Sequence, residues 1–225
     1  MNHSSNDCIL VLARIPDLDT GRRLYNLGDL DAKGTAKALY HLRKQHTGKT
    51  ELPPYLYRIR ALLFGEPKHE TSHTINDAPS PTYTFQFFAD SDEKQLLQRF
   101  LQHYQPATQR LMSWQGTQLD FPNLHYRLLK HGFAPLNPTQ QISLYDVLSP
   151  FPQLSAEDKP SLAQSQALFN LSSRDQSPTY FADDSDGEYL WQAHQKNDQR
   201  AIQQHLQQQA DSMVQLLSAM SPTFI

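Results

Sequence analysis

Continuous apolar runs predict four strands in the first half of the chain. Residues 8–15 are mostly long or β-branched apolar side chains without a polar alternation, the pattern of a strand buried on both faces. Residues 55–64 and 83–88 combine aromatic and apolar side chains, so two neighbouring strands are expected there, with a polar loop at 65–81. A fourth strand is predicted at 109–114, after a helix. These elements predict an α/β sheet of mixed direction.

Helical periodicity marks the segments between and after the strands. Residues 93–104 place Leu96, Leu97, Phe100, Leu101 and Tyr104 on one face. Asp90 is expected to cap this helix, with Glu93 closing a capping box. Further helices are predicted at 36–43, 121–131, 162–171 and 198–220. Residues 141–148 form either a fifth strand or the start of a helix.

The length and composition limit the possible classes of protein. A chain of 225 residues suits one domain, here with loop insertions at about 17–54, 65–81 and 150–187. The formal charge of -3 argues against a strongly basic nucleic-acid binder, so any contact with a polyanion must be local. Cys8 is the single cysteine, which excludes an internal disulfide framework and suits a reducing cytoplasm. No apolar run is long enough to predict a membrane span.

The stretch from Leu111 to Gly132 reads as a strand, a tight polar turn and a helix. Asp120 lies at the mouth of that helix. In α/β proteins such a junction often carries a polar group that faces a ligand, because backbone N–H groups there are unpaired. Asp120 is therefore the first candidate for chemistry.

Two other motifs suggest metal sites, but their surroundings argue against both. His69 to His73 matches the H-E-x-x-H pattern of zinc metallopeptidases, yet prolines flank it and a solvated loop is the better interpretation. Residues 183–188 resemble a calcium loop, but alanines occupy its first and twelfth positions, so we interpret this acidic turn as a helix start.

Several motifs together resemble the predicted 3′-5′ exonucleases related to the proofreading domain of family B DNA polymerases. Members carry F-D-I-E-T-V-P-D, E-K-E-L-L-x-x-F, W-N-G-x-x-F-D-x-P-x-L-x-x-R and D-L-M-D-x-L-S, followed by a helix with Y-C-x-x-D-V. The matching residues here are Ile15 to Asp17, Glu93 to Leu97 with Phe100, Trp114 to Gly116, Leu119 to Pro122 with Leu124 and Arg127, and Leu144 to Ser149. The resemblance implies a ribonuclease H-like fold with a mixed five-stranded sheet flanked by helices.

The resemblance also implies a catalytic site in which four carboxylates bind two Mg²⁺ or Mn²⁺ ions. Aligned on Pro16 and Asp17, the two strand carboxylates fall at Val11 and Ala13. Asp120 is retained, and the last carboxylate falls at Gln209, with His205 at the position of the family's tyrosine. Asp7 lies too far along the strand to substitute, and Asp211 points away around the helix. We therefore expect an inactive or very weak metal site, with Asp120 acting mainly as a helix N-cap.

Nucleic-acid contacts are expected from the same central motif. Trp114 is a candidate to stack on a base, beside Gln115 and Gly116. Arg127 is a candidate phosphate ligand, and Lys130 is a weaker one. Each also has a simpler interpretation, as packing for Trp114 and as a solvated face for the two cations.

Three hypotheses follow for the function. The first is a nucleic-acid-associated protein of the exonuclease-like family that has lost catalysis and binds single-stranded nucleic acid weakly. The second is an active metal-dependent 3′-5′ exonuclease with a rearranged site, and the third is a protein-interaction scaffold with an unknown partner.

Overall fold

The computed structural model describes residues 6–49, 51–68, 82–148, 160–171 and 185–224. The strands are β1 (Asp7–Pro16), β2 (Tyr57–Pro67), β3 (Tyr83–Ala89), β4 (Arg110–Ser113) and β5 (Gln141–Ser143). The helices are α1 (Leu18–Tyr25), α2 (Ala32–Thr47), α3 (Glu93–His103), α4 (Phe121–Lys130), α5 (Leu144–Leu148), α6 (Leu162–Leu168), α7 (Ser185–Gln195) and α8 (Gln199–Phe224). Short 3₁₀ turns cover Pro54–Leu56 and Pro138–Gln140.

The five strands form one mixed sheet in the order β3-β2-β1-β4-β5. β1 pairs antiparallel with β2 and parallel with β4, while β2–β3 is antiparallel and β4–β5 is parallel. β1 is therefore central, and its side chains are buried along almost its whole length. The predictions of a strand buried on both faces and of a mixed α/β sheet flanked by helices are confirmed, and the sheet is consistent with a ribonuclease H-like exonuclease fold.

An apolar core lies on each face of the sheet. On one face, α3 and α4 pack against alternate residues of β1 and β2, such as Leu10 and Leu62. The predicted face of α3 is confirmed, with Leu96, Leu97, Phe100 and Tyr104 buried. The opposite core includes Ile9 and Leu63 together with apolar side chains of α6, α7 and α8. Successive strand residues face opposite sides, so one continuous apolar strand serves both cores.

A smaller lobe, residues 18–49 and 51–56, follows β1. The prediction of a single helix within 17–54 is incomplete here. The structure has two helices there, α1 and α2. Asp17 starts α1 by accepting a hydrogen bond from the backbone N–H of Thr20, at 3.1 Å. Leu39, Leu52 and Leu56 form the lobe's own small cluster, which also includes Leu119 from the turn before α4. Through this contact the lobe lies beside the Asp120 region.

Helix α3 begins differently from the prediction. Asp92, and not Asp90, caps it by accepting from the backbone N–H of Lys94 at 2.8 Å. Glu93 does not close a capping box. Its buried carboxylate accepts instead from the backbone N–H of Ile59, at 2.6 Å, and from Arg127. Capping preferences depend on local spacing, whereas these contacts depend on strands and helices that meet only in the folded chain.

Residues 141–148 contain both alternatives in succession, the three-residue β5 and then α5. The H-E-x-x-H motif at 69–73 lies outside the described residues, as does the first part of the acidic turn at 183–188. The described end of that turn begins α7, as the interpretation of a helix start predicts. Among the described helices, none combines the length and apolar character needed to cross a membrane.

Candidate functional site around Asp120

The turn before α4 is a short π-helix, Gly116–Asp120, that runs directly into α4. The backbone N–H of Asp120 bonds to the carbonyl of Gln115, five residues back, at 3.3 Å. Gly116 allows this turn to pack tightly, since a Cβ there would overlap the ring of Phe121 and approach the Ser143 Cα at 3.1 Å. Wide helical turns of this kind are frequent at functional sites, where they reposition one side chain.

The Asp120 carboxylate is held by two side chains. It pairs with the Arg14 guanidinium at 2.7 Å and accepts a hydrogen bond from the hydroxyl of Ser113. Asp120 is 7% exposed, and its side chain makes no capping hydrogen bond to α4. The prediction that Asp120 is mainly an N-cap is therefore wrong. Its carboxylate joins the end of β4 to the end of β1.

Arg14 follows Leu10 and Leu12 on the face of β1 that packs towards α4. The register between β1 and β2 shifts here, because Ala13 pairs with Ala61 and Arg14 with Ile59, so the extra residue of the bulge is Arg60 on β2. The guanidinium carbon also lies 5.9 Å from the centroid of the Tyr57 ring, within the range of a cation–π contact. The positive charge beside Asp120 is thus supplied by the protein itself.

The positions aligned with the family's other carboxylates do not provide metal ligands. Val11 and Ala13 are buried in the apolar core that includes Ala210 and Met213 of α8. Gln209 lies 3.0 Å from the ring Nε2 of buried His205. Burial lowers the pKa of His205 to about 4, so this imidazole is neutral near pH 7.

Neighbouring acids do not complete the site either. Asp7 pairs with Arg110 at 2.6 Å, and Asp211 accepts from Gln207 at 2.9 Å. Within the described ranges, no three His, Cys, Asp or Glu side chains are grouped so that they could hold a metal ion. Mg²⁺ and Mn²⁺ prefer several oxygen ligands, usually carboxylates among them. The donor set around Asp120 does not fit the two-metal arrangement that the resemblance implies.

The predicted nucleic-acid residues lie close in sequence but in different surroundings. Trp114 is partly exposed, and its ring meets Tyr145 edge to face with centroids 5.7 Å apart. Gln115 is partly exposed, whereas Gly116 is buried under Phe121. These contacts favour a packing role for Trp114 and leave the base-stacking prediction untested.

Two of the matching motifs contact each other directly. The backbone N–H of Tyr145 donates to the carbonyl of Trp114 at 3.0 Å, and the Thr117 hydroxyl donates to Asp146. The segment around Leu144 to Leu148 therefore supports the turn that presents Asp120. This contact gives both motifs a structural role in addition to any chemistry.

Arg127 is 4% exposed and binds two carboxylates of the same chain. It donates to both oxygens of Glu93, with the Nε contact at 2.9 Å, and to Asp17. Lys130 follows on the same face of α4 and donates to Asp17 at 2.7 Å. A phosphate would have to displace these carboxylates in order to reach the Arg127 guanidinium.

The charges in this buried network stabilise one another. Burial by itself would raise the pKa of Asp17, but the hydrogen bond from Lys130 and the charge of Arg127 hold that pKa below its ordinary value. Burial would likewise lower the pKa of Arg127, and the hydrogen bonds and charge of Glu93 raise it instead. Asp17 and Arg127 thus remain charged in the interior because each has an ionic partner.

Sequence reasoning missed Arg14, Ser113 and Glu93 as partners. Arg14 did carry a usable signal, because a charged residue inside an otherwise buried strand requires a partner. Ser113 and Glu93 gave no comparable signal, since serine is common in loops and Glu93 fitted a capping box. Their partners lie far away in sequence.

Comparison with known proteins supports the motif assignment for part of the chain. The model of a family described as predicted 3′-5′ exonucleases related to the exonuclease domain of PolB matches residues 82–152, about a third of the sequence. No curated protein and no solved structure matches the chain. The matched segment runs from β3 through α5 and contains Trp114, Asp120 and Arg127. The resemblance is thus confirmed over residues 82–152, which match the predicted 3′-5′ exonucleases related to the exonuclease domain of PolB.

Proposed function

We propose that this protein binds single-stranded nucleic acid in the cytoplasm and does not hydrolyse it at the Asp120 site. The observation that carries the proposal is the Arg14–Asp120 ion pair, at 2.7 Å. In a two-metal nuclease, this carboxylate would be shared with cations that polarise the scissile phosphate. Here a guanidinium neutralises it, and a guanidinium can neither polarise a bound water as Mg²⁺ does nor leave an open coordination position.

The surroundings of the ion pair support the same conclusion. Val11 and Ala13 contribute methyl groups to an apolar core where the family pattern has carboxylates. Restoring metal binding would require new charged groups inside that core, at a large desolvation cost. Free Cys8 is buried, which suits the reducing compartment proposed here.

The alternative of an active exonuclease needs at least two further carboxylates near Asp120. The nearest groups bound to its carboxylate are a guanidinium and a hydroxyl. Asp7 and Asp17, at the two ends of β1, are engaged with Arg110 and Arg127 respectively. This arrangement favours the non-hydrolytic hypothesis over a rearranged metal site.

A nuclease assay on the full chain tests the loss of hydrolysis. A 5′-labelled single-stranded oligonucleotide is incubated with Mg²⁺ or Mn²⁺ and with either the wild type or Asp120→Asn. We expect no shortening above background for either protein, because Asn keeps the shape of the side chain and removes a charge that has no catalytic use here. Metal-dependent digestion by the wild type that disappears in Asp120→Asn would refute the proposal.

Binding is tested separately in EDTA, so that metal-dependent degradation cannot interfere. We expect weak association that falls as salt rises, because phosphate contacts release counterions. The absence of any association at low salt would refute nucleic-acid binding and would favour a scaffold role.

A further inference from the structure

Three tyrosines from separate elements form an exposed aromatic surface, here called the tyrosine surface. Tyr25 ends α1, Tyr55 lies in the 3₁₀ turn before β2, and Tyr126 lies on α4. They are 36%, 43% and 46% exposed respectively. Burial raises the pKa of Tyr55, and Tyr25 lies close enough to raise it further. The rings of Tyr55 and Tyr126 lie 6.3 Å apart at an angle of 87°. In such an edge-to-face pair, the ring that points its edge at its partner has neither of its own faces covered by that partner.

Hydrogen bonds fix the elements that carry the tyrosine surface to one another. Asn123, one turn before Tyr126, donates to the carbonyl of Pro54 at 2.7 Å and to that of Tyr57 at 3.0 Å. These two carbonyls lie on either side of Tyr55, so α4 and the 3₁₀ turn are fixed to each other. Lys130 ties α1 to α4 through Thr20 at 3.0 Å. A preformed surface loses less conformational entropy on binding than a mobile one.

Two of the three tyrosines, Tyr25 and Tyr55, belong to a basic part of the chain. Residues 18–56 hold seven Lys or Arg, three Asp and one Glu, giving +3 in a protein of net charge -3. Arg43 lies close enough to Tyr55 to affect its pKa, and Arg23 is two residues before Tyr25. Asp17, the buried acid beneath α1, is already paired with Arg127 and Lys130. Five of the seven cations, Arg23, Lys33, Lys37, Lys44 and Lys49, are exposed, so their positive charge faces solvent.

We propose that the tyrosine surface and the basic lobe beside it bind single-stranded nucleic acid, with bases on the tyrosine rings and phosphates on the lobe cations. Aromatic rings offer every base a stacking platform, and nearby cations attract the backbone. An acidic protein segment would match the charge but would not need three exposed rings. The inference rests on the proposed function and locates its binding surface away from Asp120: Tyr126 is six residues further along α4, about 9 Å along the helix axis.

Fluorescence anisotropy of a labelled oligo(dT) with the full chain in EDTA tests the proposal. The double variant Tyr55→Leu/Tyr126→Leu is expected to bind about tenfold more weakly than wild type, because it loses two stacking platforms. Tyr55→Phe/Tyr126→Phe keeps the rings and should bind like wild type. Phe169→Leu, at a residue 41% exposed after α6, is the matched control and should leave binding unchanged.

Two further measurements test the charge component and the class of ligand. Arg43→Gln should reduce the slope of log affinity against log salt by about one, as expected for the loss of one phosphate contact. Polyglutamate should compete far less well than unlabelled oligo(dT).

The outcomes separate this inference from the proposed function. Failure of the wild type to bind oligo(dT) would overturn both. Wild-type affinity in the Leu double variant, with binding otherwise intact, would overturn only the tyrosine surface. Equal competition by polyglutamate would assign the surface to an acidic protein partner. Circular dichroism of each variant at the assay temperature ensures that affinities of folded proteins are compared.

Discussion

Arg14 and Arg127 show how a single arginine can bind distant parts of the chain together. Each places a guanidinium against carboxylates from other elements, Arg14 against Asp120 and Arg127 against Asp17 and Glu93. The match between Arg127 and the arginine of the family motif therefore has a structural explanation. Its side chain links α4 to the end of β1 and to the start of α3.

Replacement of Arg127 by Met should destabilise the protein by about 3–5 kcal/mol, because Glu93 and Asp17 would remain buried without their main ionic partner. Urea denaturation followed by circular dichroism measures this change. The control is Arg22→Met, since Arg22 pairs at 3.4 Å with Asp19, whose side chain is 85% exposed. The control should lose about 1 kcal/mol or less. Similar losses in both variants would contradict the role assigned to the buried network.

The turn and helix from Gly116 to Lys130 form one structural unit. A polar stripe along it, Asp120, Asn123, Arg127 and Lys130, follows the helical spacing of three or four residues and meets the end of β1 and the turn before β2. Gly116 allows the start of this unit to pack against Phe121 and β5. The orientation of the whole helix thus depends on close packing at its first turn.

Replacement of Gly116 by Ala should cost about 1–3 kcal/mol, because the new methyl group overlaps Phe121 and has the Ser143 backbone behind it. Gly187→Ala is the matched control. Its Cβ would meet only the Tyr40 hydroxyl, at 3.6 Å, and alanine within α7 is expected to be neutral or to stabilise by up to about 1 kcal/mol. Thermal denaturation compares the two variants. A Gly116→Ala protein as stable as the wild type would show that the turn can relax without cost.

At the scale of the whole molecule, stability should depend on pH through His205. The folded pKa of about 4 lies below the value of about 6.5 expected in the unfolded chain, so the unfolded state binds more protons between these values. Stability is therefore complete above about pH 6.5 and falls as the pH decreases towards 4. Asp17 acts separately, because its lowered pKa means that its contribution is lost only at lower pH.

Between pH 7 and pH 5, His205 should account for a loss on the order of 2 kcal/mol. The free energy of unfolding, measured with urea at both pH values, should change less in His205→Leu than in the wild type. His194, whose pKa burial also lowers, acts in the same direction and is retained in both proteins. An unchanged pH dependence in His205→Leu would contradict the assignment to His205.

The sequence alone determined most of the elements and their order, although it missed α1 and left residues 141–148 undecided. Apolar runs and helical periodicity identify strands and helices because burial on one or both faces leaves a pattern within a few residues. Continuous burial of residues 8–15 and the apolar face of α3 were predictable for this reason. The motif around Asp120 could also be identified from the sequence. Its resemblance to the exonuclease family is confirmed over residues 82–152.

Only the tertiary structure decided how the charged residues are used. Arg14 meets Asp120 across 106 positions of the chain, and Glu93 meets Arg127 across 34. No local pattern encodes such pairs, because the cost of burying a charge is met by whichever partner the fold brings near. Likewise, Tyr25, Tyr55 and Tyr126 look unremarkable in sequence and form one surface only when α1, the 3₁₀ turn and α4 pack together.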